Sequence, residues 1–124
     1  MKSLFGTHHK VLIGVVHLRP LPGSPRWRGD MESVVEFAVN DARAYERGGA
    51  HALFIENFGD VPFTRGSVAP ETIAAMTAAG RAIRQAVKLP LGSTSCATTP
   101  APRWRCAPFA AGPSSASMCT PVRC

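Results

Sequence analysis

Val11-Leu12-Ile13-Gly14-Val15-Val16 is a continuous apolar run rich in β-branched residues, and it stops at His17. A run of this kind, without apolar/polar alternation, predicts a parallel strand buried on both faces. The loop that follows, from Leu18 to Gly29, is punctuated by Pro20, Pro22, Gly23 and Pro25. Asp30 then stands where a helix N-cap belongs. Val34, Val35, Ala38, Val39, Ala42 and Tyr45 share one stripe, whereas Glu32, Glu36, Asn40, Arg43 and Arg47 point largely elsewhere. That pattern predicts an amphipathic helix over 31–47, stopped by the left-handed turn that Gly48-Gly49 permits.

The motif then repeats. His51-Ala-Leu-Phe-Ile55 reads as a second buried strand ending at Glu56-Asn57. A loop with Gly59, Asp60, Pro62 and Gly66 leads to Pro70, a residue favoured at the first helical position. Ile73, Met76, Thr77, Gly80, Ile83 and Val87 recur at helical spacing and predict a helix over 70–87. Leu89-Pro90-Leu91 opens a third strand. The order β-α-β-α-β argues for an α/β fold with a parallel sheet and right-handed crossovers. Periodicity leaves open a doubly wound sheet or a (βα)8 barrel; the long loops after both strands favour the barrel.

Beyond Gly92 the chain changes character. All eight Asp and Glu residues precede that point, and all four cysteines (Cys96, Cys106, Cys119, Cys124) follow it. Residues 93–124 hold five prolines and no Lys, Asn, Asp or Glu. We therefore divide the chain into an α/β part, residues 1–92, and a Ser/Pro/Ala/Cys-rich tail, residues 93–124. The tail is expected to be disordered or loosely packed, with its cysteines unbridged in a reducing cytosol. A shifted reading frame accounts for it better than a genuine low-complexity tail. If one base is lost near Gly92, Ser93-Thr-Ser-Cys96 stands for apolar, polar, apolar, apolar residues in the original frame, which is the start of a strand.

Charge and cysteine usage exclude several functions. The formal charge of +6 falls to +3 over residues 1–92, and no basic run, aromatic interleaving or nucleic-acid motif accompanies it. No segment approaches the ~20 apolar residues needed to cross a bilayer, and no signal peptide is evident. The cysteines are separated by 9, 12 and 4 residues, which lacks the paired spacing of a zinc site. The scattered histidines make no metal site either: His8-His9 belongs to an N-terminal arm, and His51 begins a strand and belongs to the opposite face from His17. With no cysteine in residues 1–92, the protein is expected to be cytoplasmic.

Parallel α/β folds carry their ligand sites at the C-terminal ends of the strands. Here those ends present His17, Glu56, Asn57 and Asp60, a set suited to acid–base work or to orienting a polar ligand. Loop bracing by the same side chains is the competing reading. Gly23 and Ser24, flanked by Arg26 and Arg28, form a candidate anion cradle, although a plain turn is the favoured reading and no Walker or dinucleotide fingerprint is present. Trp27 reads as a loop anchor.

Three segments together carry a family resemblance. Ile13-Gly-Val-Val-His-Leu18 followed by Pro20-Leu-Pro-Gly-Ser-Pro25, then Phe54-Ile-Glu-Asn-Phe-Gly-Asp60 with Pro62-Phe63, then Pro70-Glu-Thr-Ile-Ala-Ala-Met-Thr77 resemble the BtpA/SgcQ family over residues 10–92. The resemblance implies a ribulose-phosphate-binding type of (βα)8 TIM-like barrel, of which this chain holds about two and a half βα units. It implies a role in photosystem I biogenesis as a peripheral membrane-associated assembly factor. The alternative it leaves open is a metabolic enzyme of lyase, isomerase or transferase type acting on a small phosphorylated metabolite. It names no cofactor. The family continues with a strand like V-N-V-L-R-N-D-A, which Ser93-Thr-Ser-Cys-Ala-Thr-Thr-Pro100 can encode when shifted by one base. Three strands leave a parallel edge unpaired, so self-association through that edge is expected, and the chain alone is expected to be inactive.

Overall fold

A computed structural model of the chain describes residues 10–63 and 68–94. They form β1 (Ile13–His17), α1 (Met31–Arg47), β2 (Ala52–Glu56), α2 (Pro70–Ala86) and β3 (Leu91–Thr94). The three strands are parallel and lie in the order β1-β2-β3. The α/β alternation read from the sequence is therefore present.

Each helix forms where local chemistry starts and stops it. The Asp30 carboxylate accepts the Ser33 backbone N–H at 3.0 Å, satisfying a donor that the first turn would strand. At the other end the Gly48 N–H returns to Ala44 O and the Ala50 N–H to Tyr45 O. Gly49 takes the left-handed conformation (φ 82) that lets the chain turn into β2. Pro70 opens α2. The Glu46 carboxylate, at the end of α1, accepts the Lys88 N–H at 2.8 Å and ties α1 to the approach of β3.

Both helices pack on the same face of the sheet. Val16, Leu53, Ile55 and Leu91 meet Val34, Ala38 and Ala42 of α1 and Ala75, Met76, Ala79 and Ile83 of α2 in one buried cluster. Burying a side chain the size of Leu53 or Ile83 contributes about 1.5–3 kcal/mol. The lower end of α1 comes so close to β1 that a Cβ on Gly14 would lie 2.5 Å from the Tyr45 ring.

The structure changes three readings. β1 is not buried on both faces: its burial alternates, with Gly14 and Val16 inside and Ile13, Val15 and His17 exposed. No element among the described residues covers the face opposite the helices, so only one side of the apolar run is sealed. In α2 the inward stripe runs through Thr72, Ala75, Met76, Ala79 and Ile83. Thr77 is exposed and returns its hydroxyl to Ile73 O. Finally, β3 runs across the Gly92–Ser93 junction to Thr94. The expected disorder of the tail and its cysteines from Cys96 onward lie outside the described residues, as do His8 and His9.

Candidate functional site

The parallel register sets His17 opposite Glu56 at the C-terminal ends of β1 and β2. Side chains alternate across a strand, so both project on the face away from the helices. His17 Nε2 lies 3.4 Å from Glu56 Oε2, with the His17 side chain 54% exposed and Glu56 23% exposed. The register is fixed beyond the strand ends, because the Leu18 N–H donates to Glu56 O at 2.8 Å and the Gly59 N–H donates to Leu18 O at 3.1 Å.

Two aromatic rings frame this pair. Phe58 stacks on the His17 imidazole with centroids 4.7 Å apart and planes at 23°. Phe63 leans on Phe58 at 6.0 Å. Sequence reading quoted both phenylalanines only as parts of a motif and missed them at the site. The signal was present: position 58 lies two residues past Glu56 and so returns to the same face. Phe58 is held there because the turn at Gly59 sits on the β1–α1 loop, where a Cβ would come within 2.6 Å of Leu18 O and 2.7 Å of Pro20 N.

Asn57 and Asp60 occupy a different place. Asn57 projects to the helix side and is 1% exposed. Its Nδ2 donates to Asp60 Oδ2 at 2.9 Å, while Asp60 Oδ1 accepts the Leu21 N–H at 2.7 Å. The four strand-end candidates thus divide. His17 and Glu56 form an accessible imidazole–carboxylate pair. Asn57 and Asp60 clamp the β1–α1 loop to the β2–α2 loop.

The Gly23–Ser24 segment is a tight turn. The Ser24 N–H donates to Leu21 O and the Trp27 N–H to Ser24 O, both at 3.0 Å, and Ser24 Oγ accepts the Arg26 N–H at 3.3 Å. The Glu71 carboxylate lies 3.1 Å from where a Gly23 Cβ would stand. An anion at this turn would meet a committed Ser24 N–H and a neighbouring carboxylate. Arg26 and Arg28 are exposed, and Trp27 packs against the edge of the core. A shallow cleft between this turn and the start of α2 is lined by Ser24, Asn57, Asp60, Ala69 and Thr72 among others. Thr72 closes one side of it by donating to Pro22 O.

His51 sits at the far end of the sheet, where its Nδ1 accepts the Leu12 N–H at 3.1 Å. No group of three His, Cys, Asp or Glu side chains able to hold a metal ion occurs among the described residues. No helix among them is long and apolar enough to cross a membrane.

Comparison with known proteins adds the family context. The sequence model of the BtpA family matches residues 8–96. An uncharacterized protein of Pyrococcus furiosus is 52% identical over 83 residues, covering 67% of this chain and 31% of that protein. The photosystem I biogenesis protein BtpA of Synechocystis is 43% identical over 88 residues, covering 71% of this chain and 30% of the relative. The putative sgc region protein SgcQ of Escherichia coli is 33% identical over 94 residues, covering 74% and 34%. The chain spans about a third of the length of these relatives. No solved structure matches it.

Proposed function

This chain belongs to the BtpA family, and from that premise we propose that it holds opening βα units of a (βα)8-type barrel whose strand ends take a small polar metabolite. The observation that carries this reading is the His17–Glu56 pair. It joins two neighbouring strands in register at 3.4 Å, at their C-terminal ends and on the face away from the helices. Barrels of this class assemble their chemistry at that position. The helices on one face and the sequential strand order favour the same fold.

The pair has a definite chemical capacity. Glu56 orients the imidazole by taking the Nε2 side, which leaves Nδ1 to accept or return a proton. A carboxylate beside an imidazole also stabilises the imidazolium that forms during such a transfer. Phe58 restricts the ring to one plane. The phosphorylated class of substrate rests on the resemblance to ribulose-phosphate-binding barrels, and a phosphate grip would lie in units outside the matched segment. The three strands among the described residues do not by themselves enclose a ligand, and inactivity of this segment on its own is part of the proposal. The reading places the protein in the cytoplasm.

A second reading rests on the name of the Synechocystis relative, a photosystem I biogenesis protein. Under it, the barrel would act as an assembly factor at a membrane surface and bind a protein complex without turnover. Thermal-shift screening of the intact Pyrococcus furiosus relative against small phosphorylated metabolites separates the two. The enzyme reading expects a metabolite that raises the melting temperature, with the gain abolished when the residues matching His17 and Glu56 become Ala. A stabilising metabolite indifferent to both changes would refute this placement of the site.

A further inference from the structure

Phe58 is 50% exposed, so burial does not account for an apolar ring at that position. The contact it makes is with an ionisable group. Its ring lies on the His17 imidazole with centroids 4.7 Å apart and planes at 23°, which is the geometry of an aromatic stack. Two neighbours set its place. Phe63 leans on it at 6.0 Å and 55°. Gly59 is seated on the β1–α1 loop, where its N–H donates to Leu18 O at 3.1 Å. Leu18 directly follows His17, so the turn that carries Phe58 is bonded to the residue beside the imidazole.

The carboxylate does not fix the imidazole by itself. Glu56 Oε2 stands 3.4 Å from His17 Nε2, beyond the roughly 2.7–3.2 Å of a well-formed N–H···O bond. The His17 side chain is more than half exposed, and an exposed pair of this kind loses much of its attraction to side-chain entropy.

An imidazole has two orientations to control. One is the tilt of its plane. The other is the half-turn about Cβ–Cγ, which exchanges Nε2 with Cε1 and Nδ1 with Cδ2. A stacked ring restrains the tilt and is indifferent to the half-turn, because both states present the same flat face. A carboxylate selects the half-turn, because it attracts an N–H and not a carbon edge, but at 3.4 Å it tolerates a range of tilts. The two restraints are therefore complementary, and neither replaces the other.

We infer that Phe58 is a positioning residue of the His17–Glu56 pair: it holds the imidazole plane in which Glu56 takes Nε2–H, and so makes Nδ1 the atom left to exchange a proton. The inference rests on the strand-end site reading above and adds a residue to it.

Nitrogen-15 spectra of the full chain in alkaline buffer, where the imidazole carries one proton, read the His17 tautomer. Relaxation of its ring carbons reads the tilt. His17→Ala identifies the signals among the four histidines. A hydrogen bond to a charged acceptor should favour the Nε2–H form about tenfold. Phe58→Ala should lower that ratio about threefold, in the lower part of what an aromatic pair contributes, and should raise the ring mobility. Phe58→Leu, which keeps apolar bulk without a flat face, should behave as Phe58→Ala does. Phe58→Tyr should restore both readouts. Glu56→Gln should lower the ratio and leave the mobility at the wild-type level. Far-ultraviolet circular dichroism should be the same for every variant, because both side chains stand at the surface end of the sheet. Unchanged ratio and mobility in Phe58→Ala overturn the inference, and so does a Phe58→Leu variant that matches the wild type. Loosening of the ring by Glu56→Gln to the level of Phe58→Ala overturns it too, since the carboxylate alone would then hold the plane. These spectra need no ligand. Their failure leaves the site reading to the metabolite screen of the intact relative. A screen without a metabolite that depends on the residues matching His17 and Glu56 overturns that reading and does not move the spectra.

Discussion

Replacing Asp60 by Ala tests whether the strand-end residues divide as described. The carboxylate accepts the Leu21 N–H at 2.7 Å and the Asn57 amide at 2.9 Å. Leu21 is 0% exposed and Asn57 1%, so water does not reach the stranded donors cheaply. An orphaned buried donor costs about 1–3 kcal/mol, and hydrogen bonds to a charged acceptor are at the strong end of the range. The two losses share one side chain and will not add fully, which gives about 3 kcal/mol for Asp60→Ala. At a urea m-value of about 1.5 kcal/mol/M for a domain of this size, the midpoint should fall by about 2 M. Asp60→Asn keeps an oxygen for Leu21 but sets its own NH2 against that of Asn57, so a loss of about 1–2 kcal/mol is expected.

His17→Ala supplies the contrast. The imidazole is 54% exposed and its single ion pair lies near the surface, where such pairs contribute at most about 1 kcal/mol. Urea titrations followed by far-ultraviolet circular dichroism would measure all three variants. The assignment of Asp60 to loop bracing is wrong if Asp60→Ala moves the midpoint no further than His17→Ala does.

Other substitutions probe the local geometry. Gly59→Ala drives a Cβ into the backbone of Leu18, Arg19 and Pro20, at 2.6–2.8 Å, and should lower the melting temperature more than Gly14→Ala. The latter meets a Tyr45 ring that can give way at about 1–3 kcal/mol; the reverse order would refute the contact. Asp30→Ala removes the cap of α1 and should cost about 1 kcal/mol, read as a lower thermal midpoint with little change in the folded spectrum. Sequencing the coding DNA past Gly92 should show that restoring one base opens a frame with V-N-V-L-R-N-D-A-like sequence. A frame that closes at once refutes the shift.

The sequence disclosed most where local chemistry acts alone. Both helices were legible to within a residue, because Asp30, Gly48-Gly49 and Pro70 act within a turn of their position. β3 was read too early, at Leu89–Leu91. There the Pro90 carbonyl accepts the Leu53 N–H, and regular pairing starts only at Leu91. The burial of β1 was misjudged because an apolar run reports what could be covered, and no element among the described residues covers its second face. His17 and Glu56 were visible as polar strand ends. Their pairing was not, because register across 39 residues of sequence depends on how α1 packs.

Glu56 to Asp60 shows why a site and its support are hard to separate by sequence position. Strand alternation sends Glu56 to the open face and Asn57 to the helix side. The turn returns Phe58 to the open face, sets Gly59 on the neighbouring loop and brings Asp60 back to Asn57. Adjacent residues therefore serve opposite tasks, and a change in the buried pair reaches the exposed one through the loop. The Gly59–Leu18 and Leu18–Glu56 hydrogen bonds lie directly between them. Loss of Asp60 should thus loosen the β1–α1 loop and shift His17 relative to Glu56 while leaving both side chains intact. In an intact relative, the change matching Asp60→Ala should weaken ligand stabilisation through mobility of the pair, and cooling should recover part of that loss. The change matching Glu56→Ala removes the carboxylate itself, and its effect should persist at every temperature. Equal temperature dependence of the two would show that the clamp does not act through the loop.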